Sequence, residues 1–148
     1  MSAPASERPG SVAYAFRLVL DRPIVETIEA TREALAEQGF GVLTEIDVRA
    51  TMKAKVGVEV PPQVILGACN PSLAHSALEE EPSLGLLLPC NVTVREGPVG
   101  TIVEVIDPSM LVTFAQNPAL EPIASEAARR LVLMLGTLAP DSEREPTR

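Results

Sequence analysis

Three dipeptides, Asn70-Pro71, Asp107-Pro108 and Asn117-Pro118, divide the chain into pieces that cannot simply run on into one another. A residue before proline is pushed out of the α region into the extended one. That is also the geometry of a helix N-cap, and proline suits the first helical turn. Each dipeptide therefore predicts a helix start, with the Asn or Asp side chain accepting from a backbone N–H of the first turn. Asn70-Pro71 constrains the fold most, because the apolar run Gln63–Ala68 precedes it directly. A strand must there turn straight into a helix, predicted over 71–80 with Leu73, Ala74, Ala77 and Leu78 buried. The helix after Pro118 is predicted to run to Leu138, with Leu120, Ile123, Ala127, Leu131, Met134 and Leu138 along one side.

The first half is punctuated differently. Val12–Leu20 reads as a strand with Tyr14, Phe16 and Leu18 on one face. Asp21 is the expected cap of a helix with Pro23 in its first turn, running to about Gln38. Ile24, Ile28, Thr31 and Leu35 supply its buried stripe. Gly39 is a natural left-handed C-cap, and Phe40 can fold back on the last turn. Val42–Val48 reads as a half-buried strand, with Val42, Thr44, Ile46 and Val48 on one face. Arg49–Val56 is a short helical segment holding the chain's only two lysines, Lys53 and Lys55, with Arg49 beside them. Those three read as a solvent-exposed face, and Met52, Met110 and Met134 as core gap-fillers.

Leu84–Leu88 is apolar except at Gly85 and is expected to meet protein on both faces. Asn91–Glu96 and Thr101–Ile106 form a predicted hairpin around Gly97-Pro98-Val99-Gly100. Strands and helices do not alternate regularly. The order predicts an α+β fold of two layers, a mostly antiparallel sheet with helices packed on one side.

At 148 residues the chain suits one domain, placed at 11–138, with Pro-, Ser- and Glu-rich tails at 1–10 and 139–148 expected to be disordered. A net charge of −8 repels phosphate backbones and anionic lipid, and 3% aromatic residues without tryptophan supply no stacking platform. Neither nucleic acid nor membrane is an expected partner. No run approaches the ~20 apolar residues of a bilayer span, and the N-terminus lacks an apolar targeting core. A cytoplasmic location is expected, where the two cysteines remain thiols.

Both cysteines are followed by asparagine, in Gly67-Ala68-Cys69-Asn70-Pro71 and in Leu87-Leu88-Pro89-Cys90-Asn91-Val92, and the single histidine, His75, lies between them. These motifs, with Gly39-Phe40-Gly41-Val42 and Val105-Ile106-Asp107-Pro108, resemble the bacterial and archaeal domain of unknown function 302 over about Val12 to Leu138. The resemblance implies a TATA-box-binding-protein-like two-layer fold and a homodimer. It brings no reaction with it, and the fold relation to a DNA-binding protein transfers no function.

The candidate site residues are Cys69, Asn70, His75, Cys90 and Asn91. Cys69 precedes a helix N-terminus, which can lower a thiol's pKa. Asn70 reads first as a cap and second as a ligand-orienting amide, and His75 points away from its helix's apolar stripe. No phosphate loop, nucleophile elbow or HExxH motif is present, so no cofactor is specified and a non-enzymatic role is favoured. The leading expectation is a small dimeric module binding a small ligand or a protein partner near the Cys-Asn motifs. The alternative is a thiol-dependent redox, sulfur-handling or soft-metal protein using Cys69 and Cys90, with His75 as a third ligand.

Overall fold

A computed structural model describes residues 12–140. Five strands, β1 (Ala15–Leu20), β2 (Gly41–Asp47), β3 (Gln63–Cys69), β4 (Cys90–Glu96) and β5 (Thr101–Ile106), form one antiparallel sheet in the order β1-β5-β4-β3-β2. The helices are α1 (Ile24–Glu37), α2 (Val48–Val56), α3 (Pro71–Glu80), α4 (Ser109–Ala115) and α5 (Glu121–Leu138). Single 3-10 turns occupy Pro82–Leu87 and Pro118–Leu120. This is the α+β architecture expected, with α1 and α5 against one face of the sheet.

Period-two alternation decides which face is covered. Phe16, Leu18 and Leu20 of β1, Val103 and Val105 of β5, and Val92 and Val94 of β4 are buried and form one cluster with Leu35, Leu131 and Leu135 of the two helices. The helical stripe of α5 follows the predicted spacing. In α1 the stripe includes two threonines, Thr27 and Thr31, both fully buried. Their hydroxyls donate to the carbonyls of Pro23 and Thr27 at 2.9 and 2.7 Å, which removes the cost of an unpaired buried polar group.

Several local expectations are corrected. Tyr14 precedes β1 and is exposed. Asp21 does not cap α1; Pro23 holds the N-cap position with no side-chain bond. β2 is an edge strand whose register shifts between Val42 and Thr44, so its alternation breaks and Ile46 stays exposed. Met52 is exposed on α2 rather than packed in the core. The run 84–88 winds into a 3-10 turn that buries Leu84 and leaves Leu86 88% exposed. Ala139, assigned by sequence to the tail, is buried and donates to the Leu135 carbonyl at 3.1 Å. Residues 1–10 and 141–148 of the expected tails, and Ser11, lie outside the described residues.

The C-terminus of α1 is closed as expected. Gly39 has φ +80°, its N–H bonds the Ala36 carbonyl at 3.0 Å, and the Phe40 N–H returns to Leu35 at 2.9 Å. A Cβ at Gly39 would also lie 3.0 Å from Asn70 Nδ2, so this turn abuts the start of α3. Gly39→Ala is therefore expected to cost about 1–2 kcal/mol from backbone conformation alone. A denaturant melt of the variant against wild type measures it, and unchanged stability would show that the turn relaxes freely.

Candidate functional site

The site is built at the corner where β3 becomes α3. β3 pairs with β4 so that Ala68 stands opposite Cys90 and Gly67 opposite Asn91. At Asn70 (φ −97°, ψ 108°) the backbone is still extended. Its Oδ1 accepts from the Leu73 N–H at 3.1 Å and its carbonyl from the Ala74 N–H at 2.9 Å. Pro71 begins the helix, as the sequence predicts. Asn117 repeats the device before the second 3-10 turn, its Oδ1 accepting from the Ala119 N–H at 3.1 Å. Asp107 departs from the expected cap: its Oδ1 accepts from the Ser109 N–H at 3.0 Å, but Pro108 holds the N-cap position of α4.

By leaving the sheet at this angle, α3 packs with the 3-10 turn and the start of α5 into a second apolar cluster, Ala77, Leu84 and Leu120, flanked by Leu88, Leu111 and Ile123. Leu78, expected in the buried stripe, is partly exposed, because the turn covers the Ala77 side instead. A cavity of about 50 Å3 adjoins this cluster, with Phe40, Ala68, Ala77, Pro89 and Ala124 among its walls. Its polar or polarizable lining comes from Asn70, Cys69 and Cys90. The Leu88–Pro89 peptide at its edge is cis.

Both cysteines are free; Cys90 is buried and Cys69 half-buried. Burial pushes the Cys90 thiol up to about 11, and the charge of Cys69 adds to the rise. Burial raises Cys69 as well. The lowering expected from the α3 N-terminus is thus overturned. The Leu73 N–H is already taken by Asn70, and burial of the thiol disfavours the thiolate.

The two Cys-Asn pairs are not equivalent. Cys69, Asn70 and Cys90 share the cavity, whereas Asn91 is exposed within β4. It lines a broad groove with Thr93, Arg95 and Glu104, on the strand faces that alternate with buried Val92 and Val94. Asn91 lies in the strand predicted for it. His75 is exposed on α3, with Nε2 3.1 Å from Glu79 Oε1, and does not join the cysteines. Among the described residues no group of three or more His, Cys, Asp or Glu is placed to hold a metal ion. Sequence reasoning missed Phe40, Ala77 and Leu84 as cavity walls; they read only as core positions.

A five-stranded antiparallel sheet with helices on one side, and a corner cavity between strand ends and short helices, defines an α+β protein of one particular kind. The model of Domain of unknown function DUF302 matches residues 16–138, and the chain belongs to that family. The crystal structure of an uncharacterized conserved protein DUF302 from Bacillus stearothermophilus is similar with a TM-score of 0.80 at 32% identity, over 86% of this chain and 100% of that one. No functionally curated protein matches.

Capping by Asn70 makes an ordered prediction. Asn70→Asp keeps an acceptor and adds a charge suited to a helix N-terminus, partly offset by the burial of that charge, so it loses less stability than Asn70→Ala. Asn70→Gly loses a few tenths of a kcal/mol, and Asn70→Ala about 0.5–2 kcal/mol. Chemical denaturation of the three variants checks the order. Three equally stable variants would contradict capping.

Proposed function

We propose that the protein is a small dimeric binding module whose ligand is an uncharged apolar group held in the cavity beside Cys69, Asn70 and Cys90. The observation that carries this reading is the character of the walls: aliphatic side chains, two thiols kept protonated by burial, and an amide whose oxygen is already used in the cap. A charged ligand would lose its hydration there with no counter-charge to replace it.

Size narrows the ligand further. An engineered apolar cavity of ~150 Å3 takes benzene, and a single water needs roughly 10–15 Å3. About 50 Å3 suits a xenon atom or the end of an alkyl chain. The thiol-based alternative is disfavoured, since the thiolate is the reactive form and burial suppresses it. A reducing, cytoplasmic setting is consistent with two free thiols. No helix among the described residues is long and apolar enough to cross a membrane. Exposed apolar side chains on a chain with mean hydropathy +0.20 support the dimer.

Xenon is the direct probe. Under xenon pressure, amide shifts in a 15N-labelled sample should concentrate at Cys69, Ala77 and Cys90, and Ala77→Val, which fills the space with two methyl groups, should abolish them. Shifts scattered over the surface, or unaffected by Ala77→Val, would refute the reading.

A further inference from the structure

The sheet has a second face, turned away from α1 and α5, and polar side chains gather on it. Period-two alternation places Arg17 of β1, Glu104 of β5, Asn91, Thr93 and Arg95 of β4, and Gln63 of β3 there. A groove of about 440 Å3 crosses this face, walled by all of these except Arg17. That volume falls within the ~300–1,000 Å3 usual for small-molecule sites. Among the described residues, the side chains of Gln63, Asn91 and Thr93 hydrogen-bond to nothing, so their donors and acceptors are free for a ligand. Arg17 stands opposite Glu104 in register, yet Arg95 Nη2 already donates to Glu104 Oε1 at 2.7 Å. Arg17 Nε and Nη1 are shielded from solvent and have no partner among the described residues. Guanidinium donors left dry and unpaired are costly. One carboxylate thus lies between two guanidiniums and serves only one. The strand positions of this face carry no other charge, so the cluster is positive by one charge on a chain of net −8.

We propose that this groove binds a small monocarboxylate bearing hydroxyl or amide groups, and that Glu104 changes partner to admit it. The ligand carboxylate takes Arg95, and Glu104 turns to Arg17, its directly opposed neighbour across the strands. The single spare positive charge matches a single carboxylate, and after the exchange two guanidiniums meet two carboxylates. Arg17 makes the exchange affordable. Without it, a ligand on Arg95 would strand Glu104, whose side chain is only 15% exposed, with no counter-charge. Gln63, Asn91 and Thr93 then serve the ligand's remaining polar groups. The site is separate from the corner cavity, since no residue lines both.

The test is a titration of the 15N-labelled full chain with sodium glycolate, lactate and gluconate at constant ionic strength, with sorbitol as the neutral control. At least one of the acids should give saturable shifts at the Asn91 and Thr93 amides and at the Nε–H signals of both Arg95 and Arg17. Sorbitol should give none. Arg95→Gln should abolish the response and, because Glu104 is then free to turn, should move the Arg17 Nε–H signal without any ligand. Glu104→Gln removes the internal competitor and should tighten binding about tenfold, whereas Arg17→Met, outside the groove walls, should weaken it about tenfold. No saturable response to any of the acids, a response that survives Arg95→Gln, or an equal response to sorbitol overturns the site. Binding unchanged by Arg17→Met, or an Arg17 signal that ligand and Arg95→Gln both leave in place, overturns the exchange of partners.

Discussion

The hydrogen bond from the Leu73 N–H to Asn70 Oδ1, 3.1 Å long, fixes the corner on which the second half of the molecule depends. It ends β3 and starts α3 within one residue. Once α3 departs there, Ala77 must find a partner, and the two 3-10 turns supply it with Leu84 and Leu120. A second small apolar cluster then sits beside the main one, and the space between elements that cannot all pack at full density is the cavity. The left-handed turn at Gly39 that closes α1 lies close beside the Asn70 amide, so the end of the first helix and the start of α3 meet at this corner.

Much of this was legible from local chemistry. Asn70-Pro71, Asp107-Pro108 and Asn117-Pro118 all supply an acceptor to the turn that follows, because the proline restricts the residue before it whatever the tertiary context. The Gly39-Phe40 closure and the α5 stripe are equally local. The failures are places where the tertiary arrangement overrides pattern. β2 alternates like a half-buried strand but lies at the sheet edge, so among the described residues Ile46 is left about half exposed. The run 84–88 looked buried on two sides, yet a 3-10 turn points its residues in three directions. The cavity itself was only half visible: the Cys-Asn motifs marked Cys69, Asn70 and Cys90, but His75 and Asn91 stand elsewhere. Periodicity tells which face a residue occupies, not which other elements converge on it.

Burial also decides the chemistry of the two thiols. A helix N-terminus stabilises a thiolate only if its N–H groups are free to face the sulfur, and here the cap uses one of them. Desolvation then governs. The folded state holds Cys90 in its neutral form, so the associated stability is fully present below the ordinary thiol range of about 8.5. It is lost as pH rises through about 11, the folded value.

The most direct measurement is a pH titration of thiol ionisation in the native protein, read residue by residue through alkylation rate and mass spectrometry. Cys90 should remain unmodified through pH 9 and ionise near 11, with Cys69 also above its ordinary value. Either thiol ionising below about 7.5 would contradict an apolar cavity around neutral thiols and would make the pair a reactive centre.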